Sequence, residues 1–91
     1  MDNDALAETL SLTVTVDKWG HMVYRNSIGQ LHRQHGPAVI WANGRQEWYQ
    51  NDMLHRDDGP AIIRDTGERQ WFLEGLEVTE EVFNERVKSI R

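Results

Sequence analysis

"LHRQHGPAVIWANGRQEWYQNDM" occupies residues 31–53, and "LHRDDGPAIIRDTGERQWFLEGL" occupies residues 54–76. Laid over each other at an offset of 23 residues, nine of the 23 positions are identical: the Leu, His, Arg, Gly, Pro and Ala of the opening, then an Ile, a Gly and a Trp. A catalytic motif is normally needed once per chain, so the doubling of Leu-His-Arg-x-x-Gly-Pro points first to architecture. Upstream, "WGHMVYRNSIGQLHR" reads as a degenerate partial copy with two extra residues before Leu31. The chain divides as a single domain, 1–91: an N-terminal segment and strand (1–18), the partial copy (19–30), two full repeats (31–53 and 54–76) and a C-terminal helix (77–91).

Each full copy reads as a β-hairpin. "AVIW" and "QEWYQ" flank "ANG", and "AIIR" and "RQWFL" flank "DTG". These runs are short, rich in β-branched and aromatic residues, and separated by turn residues. Two registers compete. A two-residue turn at Asn43-Gly44 sets Arg64 opposite Arg69 and Asp65 opposite Glu68 in the second copy, two like-charge pairs. A three-residue loop closed by a left-handed Gly sets Arg64 opposite Glu68 and Trp41 opposite Arg45. Opposed unlike charges help by roughly 0.2–1 kcal/mol and opposed like charges hurt, which favours the three-residue loop.

That register places Ala38, Ile40 and Trp48 on one face, with Ala61, Ile63 and Trp71 in the second copy. These are the strand residues that the copies share, so this face is the expected core. The other face carries Val39/Ile62, Trp41/Arg64, Arg45/Glu68, Glu47/Gln70 and Tyr49/Phe72, where the copies differ. Gly-Pro at 36–37 and 59–60 suits a tight link between units, with Pro opening a strand. Leu31 and Leu54 can bury. His32, His55, Arg33 and Arg56 can satisfy loop carbonyls or stack on a neighbouring Trp, and Asp57 or Asp58 can pair with Arg56.

The flanks differ in kind. "TLSLTVTVD" alternates Leu10, Leu12, Val14 and Val16 with polar residues, the pattern of a half-buried strand. "VTEEVFNERVKSIR" predicts a helix with Thr79 as N-cap, acidic residues in its first turn and basic ones in its last. Val78 and Phe83 form a hydrophobic staple, and Phe83, Val87 and Ile90 make a stripe that covers one end of the sheet. The predicted fold is therefore mainly β, an antiparallel meander of repeated hairpins with a C-terminal helical cap.

The 23-residue spacing, with "WYQNDMLHRDDGPAIIRDTG", resembles MORN repeats, and more closely an "LHRxDGPA" variant found in bacterial, phage and large-virus proteins. The resemblance covers roughly residues 19–76 and departs from MORN at Pro37 and Pro60 and at Asn51-Asp52. It implies a twisted hairpin meander used for attachment to proteins or membranes. A small phage or mobile-element accessory protein that binds and inhibits or modulates a host protein, an anti-defence role, is the functional expectation. The host protein can itself be a nucleic-acid binder.

Composition sets the other bounds. The chain has 91 residues, four Trp, no Cys and a net charge of −5. Without a basic cluster, direct nucleic-acid binding is not expected, and neither is lipid binding. No apolar run approaches membrane-spanning length, and the first residues lack a basic signal-peptide start. The expected location is cytoplasmic, the host's cytoplasm for a phage product. No cofactor or metal is expected: His32-x-x-His35 with Asp57 and Asp58 has ligand chemistry, but the second copy replaces Gln34-His35 by Asp57-Asp58. No catalytic motif is present, so an enzyme is not expected. The candidate partner-binding residues are Trp41, Arg45, Glu47, Tyr49, Arg64, Glu68 and Phe72, since Trp and Arg dominate binding hot spots. A homodimer, with the helix or a second subunit over this face, stays open. The alternative is a small-ligand or nucleotide binder at a repeat groove or dimer interface, using His32, Arg33, His55 and Arg56.

Overall fold

The structure, a computed structural model, describes residues 11–89. Leu10 and Ile90, the outermost members of the strand and helix stripes, lie outside the described residues. The chain is a mainly β meander with a C-terminal helix. Its strands, among the described residues, are β1 (Thr13–Val16), β2 (Met22–Arg25), β3 (Val39–Ile40), β4 (Gln46–Glu47), β5 (Tyr49–Gln50), β6 (Met53–Leu54), β7 (Ile62–Ile63), β8 (Arg69–Leu73) and β9 (Leu76–Val78), followed by α1 (Glu80–Ser89). Seven form one sheet in the order β1-β2-β3-β4-β7-β8-β9, while β5 pairs with β6.

The three-residue loop holds in both copies. Val39 lies opposite Glu47 and Ile40 opposite Gln46, and the Trp41 N–H donates to the Arg45 carbonyl at 2.9 Å. In the second copy Ile62 faces Gln70 and Ile63 faces Arg69, and the Arg64 N–H donates to the Glu68 carbonyl at 2.8 Å. Gly44 and Gly67 close these loops at φ 97° and 93°, a conformation that a Cβ disfavours.

A third hairpin has the same construction. β1 and β2 pair with Val14 opposite Tyr24 and Val16 opposite Met22. Gly20 closes their loop at φ 86°, donating to the Asp17 carbonyl as Gly44 does to Trp41 and Gly67 to Arg64. The N-terminal strand is therefore the first strand of a repeat, not a flank of another kind. The degenerate copy carries one extra residue, not two: Asn26 and Gln30 are joined across three residues, where Gln50 and Met53 are joined across two.

The repeated Leu-His-Arg-x-x-Gly-Pro-Ala is a clasp between successive hairpins. The guanidinium of Arg33 lies 4.0 Å from the Tyr24 ring centre and that of Arg56 4.0 Å from Trp48. The same groups donate to the Pro37 and Pro60 carbonyls at 3.3 and 3.0 Å. A Cβ on Gly36 or Gly59 would meet that guanidinium at 2.8 or 2.9 Å, so these glycines are small to admit an arginine. Each histidine holds the next turn: His32 Nδ1 accepts the Asn51 N–H at 3.1 Å and His55 Nδ1 the Glu74 N–H at 2.8 Å. With Nδ1 accepting, His55 carries its proton on Nε2, 2.8 Å from Asp57, while Asp58 takes Arg56 at 2.8 Å. Ala38 and Ala61 end the clasps fully buried, their carbonyls accepting the Tyr24 and Trp48 N–H groups at 2.7 Å.

The third clasp is replaced by α1. Glu74-Gly75 turns the chain as Asn51-Asp52 does, all four at positive φ, so β9 runs where Met53 and Leu54 run one unit earlier. Thr79 then stands at the position of Arg56. Its hydroxyl accepts the Val82 N–H at 3.1 Å, the expected N-cap, and Phe83 is buried.

The core is not confined to one face. Ala38, Trp48 and Ala61 are buried as expected, but Ile40, Ile63 and Trp71 are only half-buried. Val39 and Ile62, and with them Glu47, are buried from the opposite face. The clasps cover the side bearing Tyr24 and Trp48, and long side chains folding onto Glu47 close the other. Val14 and Val16, expected half-buried, are exposed, because β1 ends the sheet.

Candidate partner-binding surface

Glu47, at 6% exposure, organises the face opposite the clasps. Its Oε2 accepts the indole N–H of Trp41 at 3.0 Å and lies 2.7 Å from Arg45 Nε. Its Oε1 accepts the Tyr49 hydroxyl at 3.1 Å. Alternation along β4 and on into β5 puts residues 45, 47 and 49, with residue 41 across the hairpin, on one side, and a buried carboxylate is tolerable only with donors on both oxygens. Burial, reinforced by the adjacent Glu47 charge and by the hydrogen bond to it, raises the Tyr49 phenol above its ordinary 10.0, against a smaller opposing effect of Arg45.

The second copy makes the same connection with different chemistry. Arg64 reaches Gln70 Oε1 at 3.1 Å from Nε and 2.7 Å from its second guanidinium nitrogen, and Gln70 Nε2 donates to Glu77 at 3.1 Å. Trp41 to Glu47 and Arg64 to Gln70 each span six residues: donor and acceptor change together. Trp41, Arg45, Glu47 and Tyr49 thus form one cluster. Arg64 belongs to its neighbour, Glu68 extends an exposed side chain at the hairpin loop, and Phe72 is half-buried, its carbonyl accepting the Arg56 N–H at 3.3 Å. Glu47, among the candidate contact residues, is a brace beneath the surface.

Residues 18–21 extend the surface beyond the candidates read from sequence. His21 Nδ1 accepts the Ala42 N–H at 2.8 Å, tying the first hairpin loop to the second. Its ring meets Trp41 edge-on at 4.9 Å between centres and lies 6.2 Å from Trp19. Lys18 Nζ sits 4.6 Å from the Trp19 ring centre. Trp19 is 65% exposed and Trp41 38%, so the run Trp19–His21–Trp41 presents aromatic area to solvent beside the Glu47 cluster. The sequence signal for this loop is the Gly20 that closes it, which aligns with Gly44 and Gly67.

The alternative set serves the chain itself. Arg33 and Arg56 are stacked and bonded in the clasps, and His32 and His55 hold turns. Among the described residues no three His, Asp or Glu side chains converge on a metal-sized site, and no helix is long and apolar enough to cross a membrane. Comparison with protein-family models, curated proteins and solved structures returned no match.

Proposed function

We propose that this chain is a non-enzymatic protein-binding module whose contact surface is the aromatic run of Trp19, His21 and Trp41, continued by Arg45, Tyr49 and Arg64. One observation carries the reading: Trp41 is held out to solvent while its N–H is anchored on a buried carboxylate. A ring fixed before contact loses little side-chain freedom on binding, and Trp, Tyr and Arg are the residues that contribute most at interfaces. The resemblance to the "LHRxDGPA" group extends the proposal to a host protein as the partner, which the bound chain inhibits or modulates.

The test is capture from bacterial lysate followed by affinity measurement on the purified partner. Trp19→Ala and Trp41→Ala are expected to weaken binding at least tenfold, about 1.4 kcal/mol each, and Arg64→Ala by less. Val82→Ala, an exposed change on α1, should leave affinity unchanged. Full retention of every partner by both tryptophan variants rules this face out.

A further inference from the structure

The two ends of the repeat array are finished differently. At the C-terminal end α1 stands where a further clasp would begin. At the other end β1 is the outermost strand of the sheet, and its four residues, Thr-Val-Thr-Val, are all exposed. Comparison with the equivalent positions of the other units shows what a neighbouring strand covers. Val14 is 46% exposed, whereas its counterparts Ala38 and Ala61 are at 0%. Thr15 is exposed, whereas Val39 and Ile62 are buried, and Val16 is 62% exposed, whereas Ile40 and Ile63 are half-buried. In both later units the covering element is the second strand of the preceding hairpin, antiparallel to the first strand of the next: β2 on β3 and β4 on β7.

The backbone repeats the point. The Asp17 N–H donates to the His21 carbonyl at 3.1 Å, and hydrogen-bonded pairs alternate along an antiparallel ladder. Thr13 and Thr15 therefore turn their peptide groups toward β2, while Val14 and Val16 turn theirs outward. β1 itself has no charge, no Pro and no bulge, three of the devices that protect free edges, in a chain of net charge −5. β9 at the far edge carries Glu77 and runs into α1.

We infer that a second copy of this chain docks on β1, strand to strand and antiparallel about a two-fold axis. Such an axis, normal to the sheet, keeps the two faces of the copies aligned, which requires each residue to meet one of the same parity. Pairing Val14 with Val16 of the other copy uses the outward peptide groups of both residues, sets Thr15 against Thr15 at the axis, and lines up four valines on one face. Self-complementarity selects this occupant: an uncharged run of alternating Thr and Val matches its own reverse, and the pairing places no charge opposite a like charge. The surface is separate from the aromatic run, so Trp41→Ala leaves the association intact.

The test is sedimentation of the full chain over a concentration series to high micromolar. The wild type is expected to reach twice the mass of one chain. Val16→Pro removes an outward donor without touching the β1–β2 ladder, and Val14→Lys places a charge on the edge; both should stay monomeric with the wild-type circular dichroism. Thr15→Cys should oxidise to a cross-linked pair, because facing residues of a non-hydrogen-bonded pair approach to about 4.5 Å between Cα atoms. Thr13→Cys, displaced by four residues from its mate, should not. A wild type that stays monomeric, a Val16→Pro variant that dimerises normally, or equal cross-linking at 13 and 15 overturns the inference.

Discussion

The indole N–H of Trp41 and the carboxylate of Glu47 are bonded at 3.0 Å across the hairpin, with Glu47 buried beneath the ring that it holds. The same carboxylate takes Tyr49 and Arg45. Removing it strands two hydrogen-bond donors and leaves the Arg45 guanidinium without its counter-charge, and a lone partner of a buried ionic group costs more than the intact pair contributes. Glu47→Ala is expected to lower stability by about 3 kcal/mol, against about 1 kcal/mol for Glu47→Gln, which keeps an acceptor. Urea denaturation measures both. A loss below the second figure for the alanine variant would mean that the cluster contributes little.

Tyr49 gives the face a pH signature. Burial and Glu47 hold its proton above the ordinary value of 10.0, so the folded chain keeps a proton that the unfolded chain releases. That contribution is fully present below pH 10.0 and declines as pH rises through the folded value. The phenolate absorbance of the folded protein should therefore titrate later than that of the urea-unfolded protein. Glu47→Gln should narrow the gap without closing it, because burial is the larger cause.

The clasp makes a prediction about glycine. A methyl at Gly59 meets the Arg56 guanidinium, and the side chain must leave Trp48 and the Pro60 carbonyl. Gly59→Ala should cost about 1–2 kcal/mol, the sum of a partly desolvated cation–π contact and a hydrogen bond. The cost should fall when Arg56 is already alanine. A double-mutant cycle reads that coupling, and strict additivity would assign the glycine another role.

Glu74 sits at φ 51°, where a side chain carries a penalty that Asn or Gly largely escapes. Its side chain is exposed, so little is lost on replacement. Glu74→Asn is expected to stabilise the chain by about 0.5–1 kcal/mol, read as a higher melting temperature, with the His55 bond to residue 74 kept because it uses the backbone.

The hairpin register was legible because Arg64 faces Glu68 in one register and Arg69 in the other, and charge decides such a choice. The helix was legible from Thr79 and the acidic turn after it. The first hairpin was legible only in part, as a strand before residue 18 and a degenerate copy at 19–30, because its side chains diverged: His21 stands where Arg45 and Glu68 stand, Val23 where Glu47 and Gln70 stand, and one inserted residue at 26–30 breaks the alignment. Gly20 and an aromatic at 24 are what remain. The two-sided core was hidden for another reason. Apolar alternation cannot reveal a buried carboxylate, and the burial of Glu47 depends on residues two and six positions away closing over it. Trp19 and His21 lie in the partial copy but were not read as contact residues, because nothing in the alignment brings them beside Trp41.

The helix after Thr79 makes the protein a ruler with a fixed stop. Every junction before it is built from the same bonds, arginine over an aromatic ring and histidine under the following turn, so length is set by how many units precede the stop. A further 23-residue unit spliced between Met53 and Leu54 would meet matching partners on both sides, and the added span would move the aromatic surface away from the helix by one hairpin while leaving both ends of the molecule as they are.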